Sequence, residues 1–159
     1  MEKAIKYYNW ITFGMANAAL VTGVVFLCRF YRSAPEQIFT CLDFSGGPAF
    51  YGSKAITCIF ILMEACLIFL MSFMQFQPEK WYFFSNISQS VREKTSRFSQ
   101  VMIGISKMAL SVIITYNIRC ALLQQNGFSY YPLIVFACFV TPLLLCIFYY
   151  LFLCAKQRR

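Results

Sequence analysis

Residues 55–76 read AITCIFILMEACLIFLMSFMQF, and residues 101–123 read VMIGISKMALSVIITYNIRCALL. Each is an apolar run of about 20 residues, the length an α-helix needs to cross ~30 Å of hydrocarbon at ~1.5 Å per residue. Each also holds a charge well inside it, Glu64 in the first and Lys107 in the second. Two more runs of the same character lie at about 10–30 and about 131–154. The pattern predicts an all-α fold: a polytopic integral membrane protein whose four transmembrane helices form an antiparallel bundle, with the N- and C-termini cytoplasmic.

Composition agrees with that reading. The chain has 159 residues and is 60% hydrophobic, with a mean hydropathy of +0.62. A soluble domain of this size needs far more polar surface. Four spans leave too little chain for a second domain, so 1–159 is read as a single membrane domain. The first run is as long as a span and lacks a small-residue cleavage site, so it reads as a retained signal anchor.

The net charge is +8, and its placement sets the expected orientation. With a cytoplasmic N-terminus, the inner side holds Lys3, Lys6, Lys80, Arg92, Lys94, Arg97, Lys156, Arg158 and Arg159. The outer side then holds Arg29, Arg32, Lys54 and Arg119. That excess favours both termini inside. The basic residues are divided among short membrane-flanking segments, which argues against nucleic acid as a partner and for anionic lipid.

Polar residues inside the spans are the informative ones. Counting at ~1.5 Å per residue puts Asn17 about 13 Å and Lys107 about 12 Å from the cytoplasmic edge. Glu64, entered from the outer edge, falls near the middle, and Thr141 and Pro142 reach a similar depth in the fourth span. An intramembrane polar layer of Asn17, Glu64, Lys107 and Thr141 is therefore expected, with Glu64 and Lys107 as a buried ion pair, since a charge in hydrocarbon costs a few kcal/mol unless it is paired. The pair reads either as a device fixing helix register or as a relay for a proton or solute. Near the outer interface, Arg119 is expected to snorkel or to meet Asp43 or Glu36.

The connections carry weaker signals. Ser33-Ala-Pro-Glu36 fits a capping box and predicts a short interfacial helix through Ile38, Phe39 and Leu42, with Gly46-Gly47 as its breaker and Pro48 opening the second span early. Ser90-Val-Arg-Glu93 fits another, so the third helix should extend back to about residue 91 and carry Arg92, Lys94 and Arg97 beyond the bilayer as a docking surface. Trp81–Phe84 reads as an interfacial aromatic belt, and Asn86-Ile-Ser88 as a glycosylation sequon on the cytoplasmic side, where it would go unused. Gly14 with Ala18 and Ala19 with Gly23 are small-xxx-small spacings suited to close helix packing. Pro142 should kink the fourth helix.

The chain has eight cysteines and no C-x-x-C pair. Cys41, in the outer loop, has one of Cys28, Cys58 or Cys120 as a candidate disulfide partner in an oxidising lumen, while most of the others lie where a thiol acts as a small hydrophobe. Cys154, at the cytoplasmic boundary, reads either as a plain interfacial cysteine or as a candidate lipidation site. There is no histidine, which removes the usual haem ligand, zinc ligand and general base. No phosphate-binding glycine loop is present. No metal and no cofactor is expected.

The function these features favour is non-enzymatic: an accessory, assembly or scaffold subunit of a membrane protein complex in the plasma membrane or an endomembrane. Its partners would be membrane lipids and other integral membrane proteins, or further copies of itself. The alternatives are a small transporter or channel subunit using Glu64 and Lys107, and a lipid-binding or lipid-handling membrane protein.

Overall fold

The computed structural model describes residues 2–77, 89–127 and 130–157. The aromatic segment Trp81–Phe84 and the sequon Asn86-Ile-Ser88 lie outside the described residues. Four helices follow the four apolar runs: α1 (Glu2–Phe30), α2 (Ile56–Phe76), α3 (Gln89–Leu123) and α4 (Tyr131–Gln157). All four are long and apolar enough to cross a membrane. The described part of α3 begins at Gln89, well before its apolar stretch. α4 continues through Pro142 as a single helix.

Paired residues give the helix directions. The Tyr8 hydroxyl donates to the Val101 carbonyl at 2.8 Å, and the Ser111 hydroxyl reaches the Ala16 carbonyl at 3.0 Å, so α1 and α3 run parallel. Gln75 meets Gln100 and Lys107, and Glu64 meets Ser111 and Thr115, so α2 runs against both. Phe98 stacks on Tyr149 with ring centroids 4.3 Å apart, and α4 packs chiefly on α3. The helices thus alternate up and down, and the start of α1 and the end of α4 lie at one end of the bundle. α3 is the most buried helix and α4 the least.

The connection between α1 and α2 differs from expectation. In place of a short helix, residues 37–53 form a two-stranded antiparallel hairpin, β1 (Gln37–Leu42) and β2 (Pro48–Ser53). The fold is therefore mostly helical, with a small sheet at one end. Physical reasons for the strand are visible in QIFTCL, which is rich in β-branched and aromatic residues and has no strong helix former after Gln37 except Leu42. Pro48 sits at the first residue of β2, where its missing N–H does no harm, and α2 does not begin until Ile56. The turn is built on Asp43. Its Oδ1 accepts from the Ser45 hydroxyl at 2.7 Å and from the Ser45 and Gly47 amides, both at 2.8 Å. Gly46 adopts φ 84°, which a glycine does without strain. The Ser45 hydroxyl, then the Gly47 amide, hold the Asp43 carboxyl below its ordinary value. A lowered value means these bonds favour the fold at neutral pH and lose that contribution as pH falls through the range where Asp43 protonates.

The hairpin is held by burial. Ile38, Phe39 and Leu42 pack with Ala34 of the α1–β1 connection and with Ile118, Cys120, Ala121 and Leu122 of α3. Ile38 and Leu42 are four positions apart and share one strand face, and Phe39, on the alternate position, is buried as well. The pairing is irregular between Phe39 and Leu42. Glu36 and Lys54 close the base of the hairpin with an ion pair at 2.9 Å, and the Lys54 ammonium lies over the Tyr31 ring. Glu36 is thus engaged by Lys54, Asp43 by its own turn, and Arg119 is exposed. The expected meeting of Arg119 with either carboxylate does not occur. The short α3–α4 connection adds to the turn: the Gly127 amide donates to the Gly46 carbonyl and the Tyr130 amide to the Phe44 carbonyl, both at 2.7 Å. A Cβ at Gly127 would run into Leu42, so glycine permits this close approach. Among the described residues no disulfide forms, and Cys41 is a half-buried free thiol.

Candidate functional site

Polar side chains line one seam where α1, α2 and α3 meet. Each helix contributes residues at helical spacing: Asn9, Thr12, Ala16, Ala19 and Gly23 from α1; Glu64, Ser72 and Gln75 from α2; Gly104, Lys107, Ser111 and Thr115 from α3. Spacings of three, four and, between Glu64 and Ser72, eight keep each set on a single helix face. Small residues within the sets let the backbones approach. At Gly104 an added Cβ would lie 2.7 Å from Gln75 Nε2 and 2.9 Å from the Tyr8 hydroxyl.

Lys107 occupies one part of the seam and is 1% exposed. Its Nζ donates to Gln75 Oε1 at 2.7 Å and to Ser72 Oγ at 3.0 Å, and it lies 5.4 Å from the centre of the Phe13 ring. Two neutral oxygens and an aromatic face therefore surround the ammonium. Gln75 is the hub of this part. While its carbonyl accepts from Lys107, its Nε2 lies 3.0 Å from Asn9 Oδ1, 3.1 Å from Thr12 Oγ1 and 3.3 Å from the Gln100 carbonyl. One amide thus ties all three helices together.

Glu64 occupies the other part and is 0% exposed. Its Oε1 is in contact with the Ser111 hydroxyl and lies 3.4 Å from Thr115 Oγ1. Those hydroxyls also reach backbone carbonyls of α1, Ser111 to Ala16 at 3.0 Å and Thr115 to Ala19 at 2.9 Å. Glu64 Oε2 has no hydrogen-bond partner.

Several expectations for the site are therefore corrected. Glu64 and Lys107 are both buried in the bundle, but no ion pair joins them. Each is engaged by different neutral groups. Depth counted from a span's edge is uncertain by a helical turn, ~5.4 Å, which exceeds what an ion pair tolerates. The long lysine side chain uses that freedom to extend along α2 toward Ser72, eight positions or ~12 Å from Glu64 along the axis. Asn17 is half-buried and donates to its own helix at the Phe13 carbonyl, 2.8 Å away, and so takes no part in the seam. Thr141 is exposed, on a helix that packs chiefly on α3. The polar groups form a seam along three helices and not a layer across four.

Of the small-xxx-small spacings, Ala19–Gly23 lies in the seam, whereas Gly14 faces open space and Ala18 is exposed. The residues that sequence reasoning overlooked are Asn9, Thr12, Ser72, Gln75, Ser111 and Thr115. Their three-and-four spacing was the available signal, since hydroxyls and amides recur on one face of each helix.

Elsewhere, Arg92 and Lys94 are exposed, Arg97 lies 3.9 Å from Glu93, and the neighbouring Val91 and Thr95 are buried. Cys154 is half-buried with its thiol hydrogen-bonded to the Tyr150 side chain. Among the described residues no group of histidine, cysteine or carboxylate side chains is arranged to hold a metal.

Exchanging the two charges, Glu64→Lys with Lys107→Glu, should recover none of the folded yield lost in the worse single variant, because each charge would meet partners arranged for the other. Yield after detergent extraction and size exclusion measures this, and a clear recovery would show that the charges do interact directly.

No family model, curated protein or solved structure matches this chain. What the fold and the seam define is a class: a small helical protein with four helices long and apolar enough to span a membrane, closed at one end by a hairpin and tied internally by buried polar groups.

Proposed function

We propose that this chain is a non-enzymatic accessory or scaffold subunit that associates laterally with other membrane-spanning helices. The observation that carries the reading is how its polar interior is used. Lys107, Ser72, Gln75, Asn9 and Thr12 are bonded to one another, so these groups serve helix assembly and are not presented to a substrate. α4 supports the same reading. It packs chiefly on α3 and exposes Leu133, Phe136, Leu143, Phe148 and Phe152. An apolar partner helix would take this face, with shape and not charge selecting it. In this reading both chain ends are cytoplasmic, as the basic excess on that side favours, and Arg92, Lys94 and Arg97 add a positive surface suited to anionic lipid or an acidic segment of the partner.

Purification in mild detergent followed by mass spectrometry tests it. The expected result is a stoichiometric membrane-protein partner that is lost when Phe136 and Phe148 are both changed to alanine, with insertion and melting unchanged. A chain that purifies alone, or keeps its partner in the double variant, would contradict the reading.

A second reading, a small transporter or channel subunit, is favoured by one observation: the unpartnered Oε2 of Glu64 in the bundle interior. Flux across proteoliposomes that vanishes in Glu64→Gln would favour it over the first.

A further inference from the structure

The Glu64 end of the seam is short of protons. Ser111 and Thr115 each carry one hydroxyl proton, and each hydroxyl faces two acceptors, an α1 carbonyl and Glu64 Oε1. A hydroxyl cannot donate to both at once. Ser111 lies closer to Oε1 than to the Ala16 carbonyl and donates to Oε1, while the Thr115 proton goes either to Ala19, joining α3 to α1, or to Oε1. Glu64 Oε2 lacks a donor in either arrangement. A buried carboxyl in that state is costly, and native structures avoid it.

Space and chemistry at this point suit a positive ion. Beside Oε2 lies the side-chain-free position of Gly23. A Cβ built there would sit 3.8 Å from Oε2, 3.4 Å from Thr115 Oγ1 and 3.7 Å from Ile61 Cδ1, so the gap is about the size of a methyl group. Apart from the Ile61 methyl, the groups around it offer oxygen, the donor that hard cations prefer. Only one carboxylate is present, which balances a single charge. A divalent ion would leave uncompensated charge in a dry interior. The other charged group in the described seam is Lys107, one turn before Ser111 on α3, and its ammonium is turned away to Ser72 and Gln75. α1 presents the uncharged Ala16, Ala19 and Gly23, and α2 presents Glu64 itself.

We propose that Glu64, Ser111 and Thr115 bind one dehydrated monovalent cation of the size of Na+ beside Gly23, and that the ion locks α1, α2 and α3 together. Both carboxylate oxygens and both hydroxyl oxygens face the ion, the Ser111 proton stays on Oε1, and the Thr115 proton stays on the Ala19 carbonyl. This arrangement satisfies the proton count and gives Oε2 a partner. The proposal is independent of the accessory-subunit reading, because the site is complete within one chain.

Melting of the purified full chain in mild detergent tests it, with NaCl, KCl and choline chloride compared at equal ionic strength. A ligand that binds the folded state raises the melting temperature with concentration until the site fills. Na+ should do so saturably, K+ more weakly and choline not at all, and Glu64→Gln should abolish the Na+ response. Should Glu64→Gln fail to fold, Thr115→Val replaces it, with the half-saturating Na+ concentration expected to rise at least ten-fold. Equal melting in Na+ and choline overturns the proposal. So does a Na+ response that survives in Glu64→Gln or is unchanged in Thr115→Val, or a response to pH alone, which would mean that the carboxyl holds a proton instead.

Discussion

Gln75→Leu should destabilise the protein by about 3–5 kcal/mol, the range found when a buried charge loses its partner. Leucine matches glutamine roughly in volume but offers no oxygen to Lys107. The ammonium, 1% exposed, would keep only Ser72 and the Phe13 ring. The amide's contacts with Asn9, Thr12 and Gln100 would go as well. Ordinary interhelical hydrogen bonds in membranes average only ~0.6 kcal/mol, so the stranded charge and not the lost neutral bonds dominates the effect. That ordering is itself testable. Lys107→Met alone should cost about 1–3 kcal/mol, because it strands the neutral Gln75 oxygen. Gln75→Leu with Lys107→Met should then be more stable than Gln75→Leu alone. Unfolding by sodium dodecyl sulfate in mixed micelles, followed by circular dichroism, gives the full cycle. Additive losses would refute the coupling between the two residues.

The second large effect is expected at the hairpin. Leu42→Ala should cost about 2–5 kcal/mol, the usual range for truncating a buried leucine. Leu42 is 1% exposed against the Ile118–Leu122 turn of α3 and under Gly127. The hairpin precedes α2 in the chain and lies outside the four apolar helices; with water around it, burial would be favourable as in a soluble core. Between helices in lipid that driving force is missing. Leu62, 65% exposed on α2, should therefore tolerate alanine with little change. Amide hydrogen exchange separates the cases. In Leu42→Ala the amides of residues 37–53 should lose protection while those of α2 and α3 keep it. Unchanged hairpin protection would show that the strands are held by their ladder alone.

How legible these features were differs from residue to residue. The runs around Glu64 and Lys107 identified two membrane-length helices without ambiguity, because hydrocarbon thickness sets a length that soluble helices seldom reach without charges. Ser90-Val-Arg-Glu93 pointed to helix ahead of the apolar run, and the described part of α3 includes those residues. The hairpin was misread because Ser33-Ala-Pro-Glu36 satisfies a local helix-start pattern, whereas the strand owes its stability to contacts of Ile38 and Leu42 with residues some eighty positions away in α3. The seam was half legible. Glu64 and Lys107 stood out as charges, but Ser72, Gln75, Ser111 and Thr115 are ordinary in an apolar helix, and only their recurrence on one face marks them.

By itself, then, the amino-acid order determined that there are four apolar helices, roughly where each begins and ends, and that two charges must be shielded from lipid, since these follow from length, transfer cost and local periodicity. Which groups do the shielding was decided only by tertiary structure. The choice of Gln75 for Lys107 and of Ser111 and Thr115 for Glu64 depends on the rotation and axial offset of α2 against α1 and α3. Those are fixed by close approach at Gly104 and Gly23 and by hydroxyl-to-carbonyl bonds between helices, and a shift of one turn would have replaced every partner.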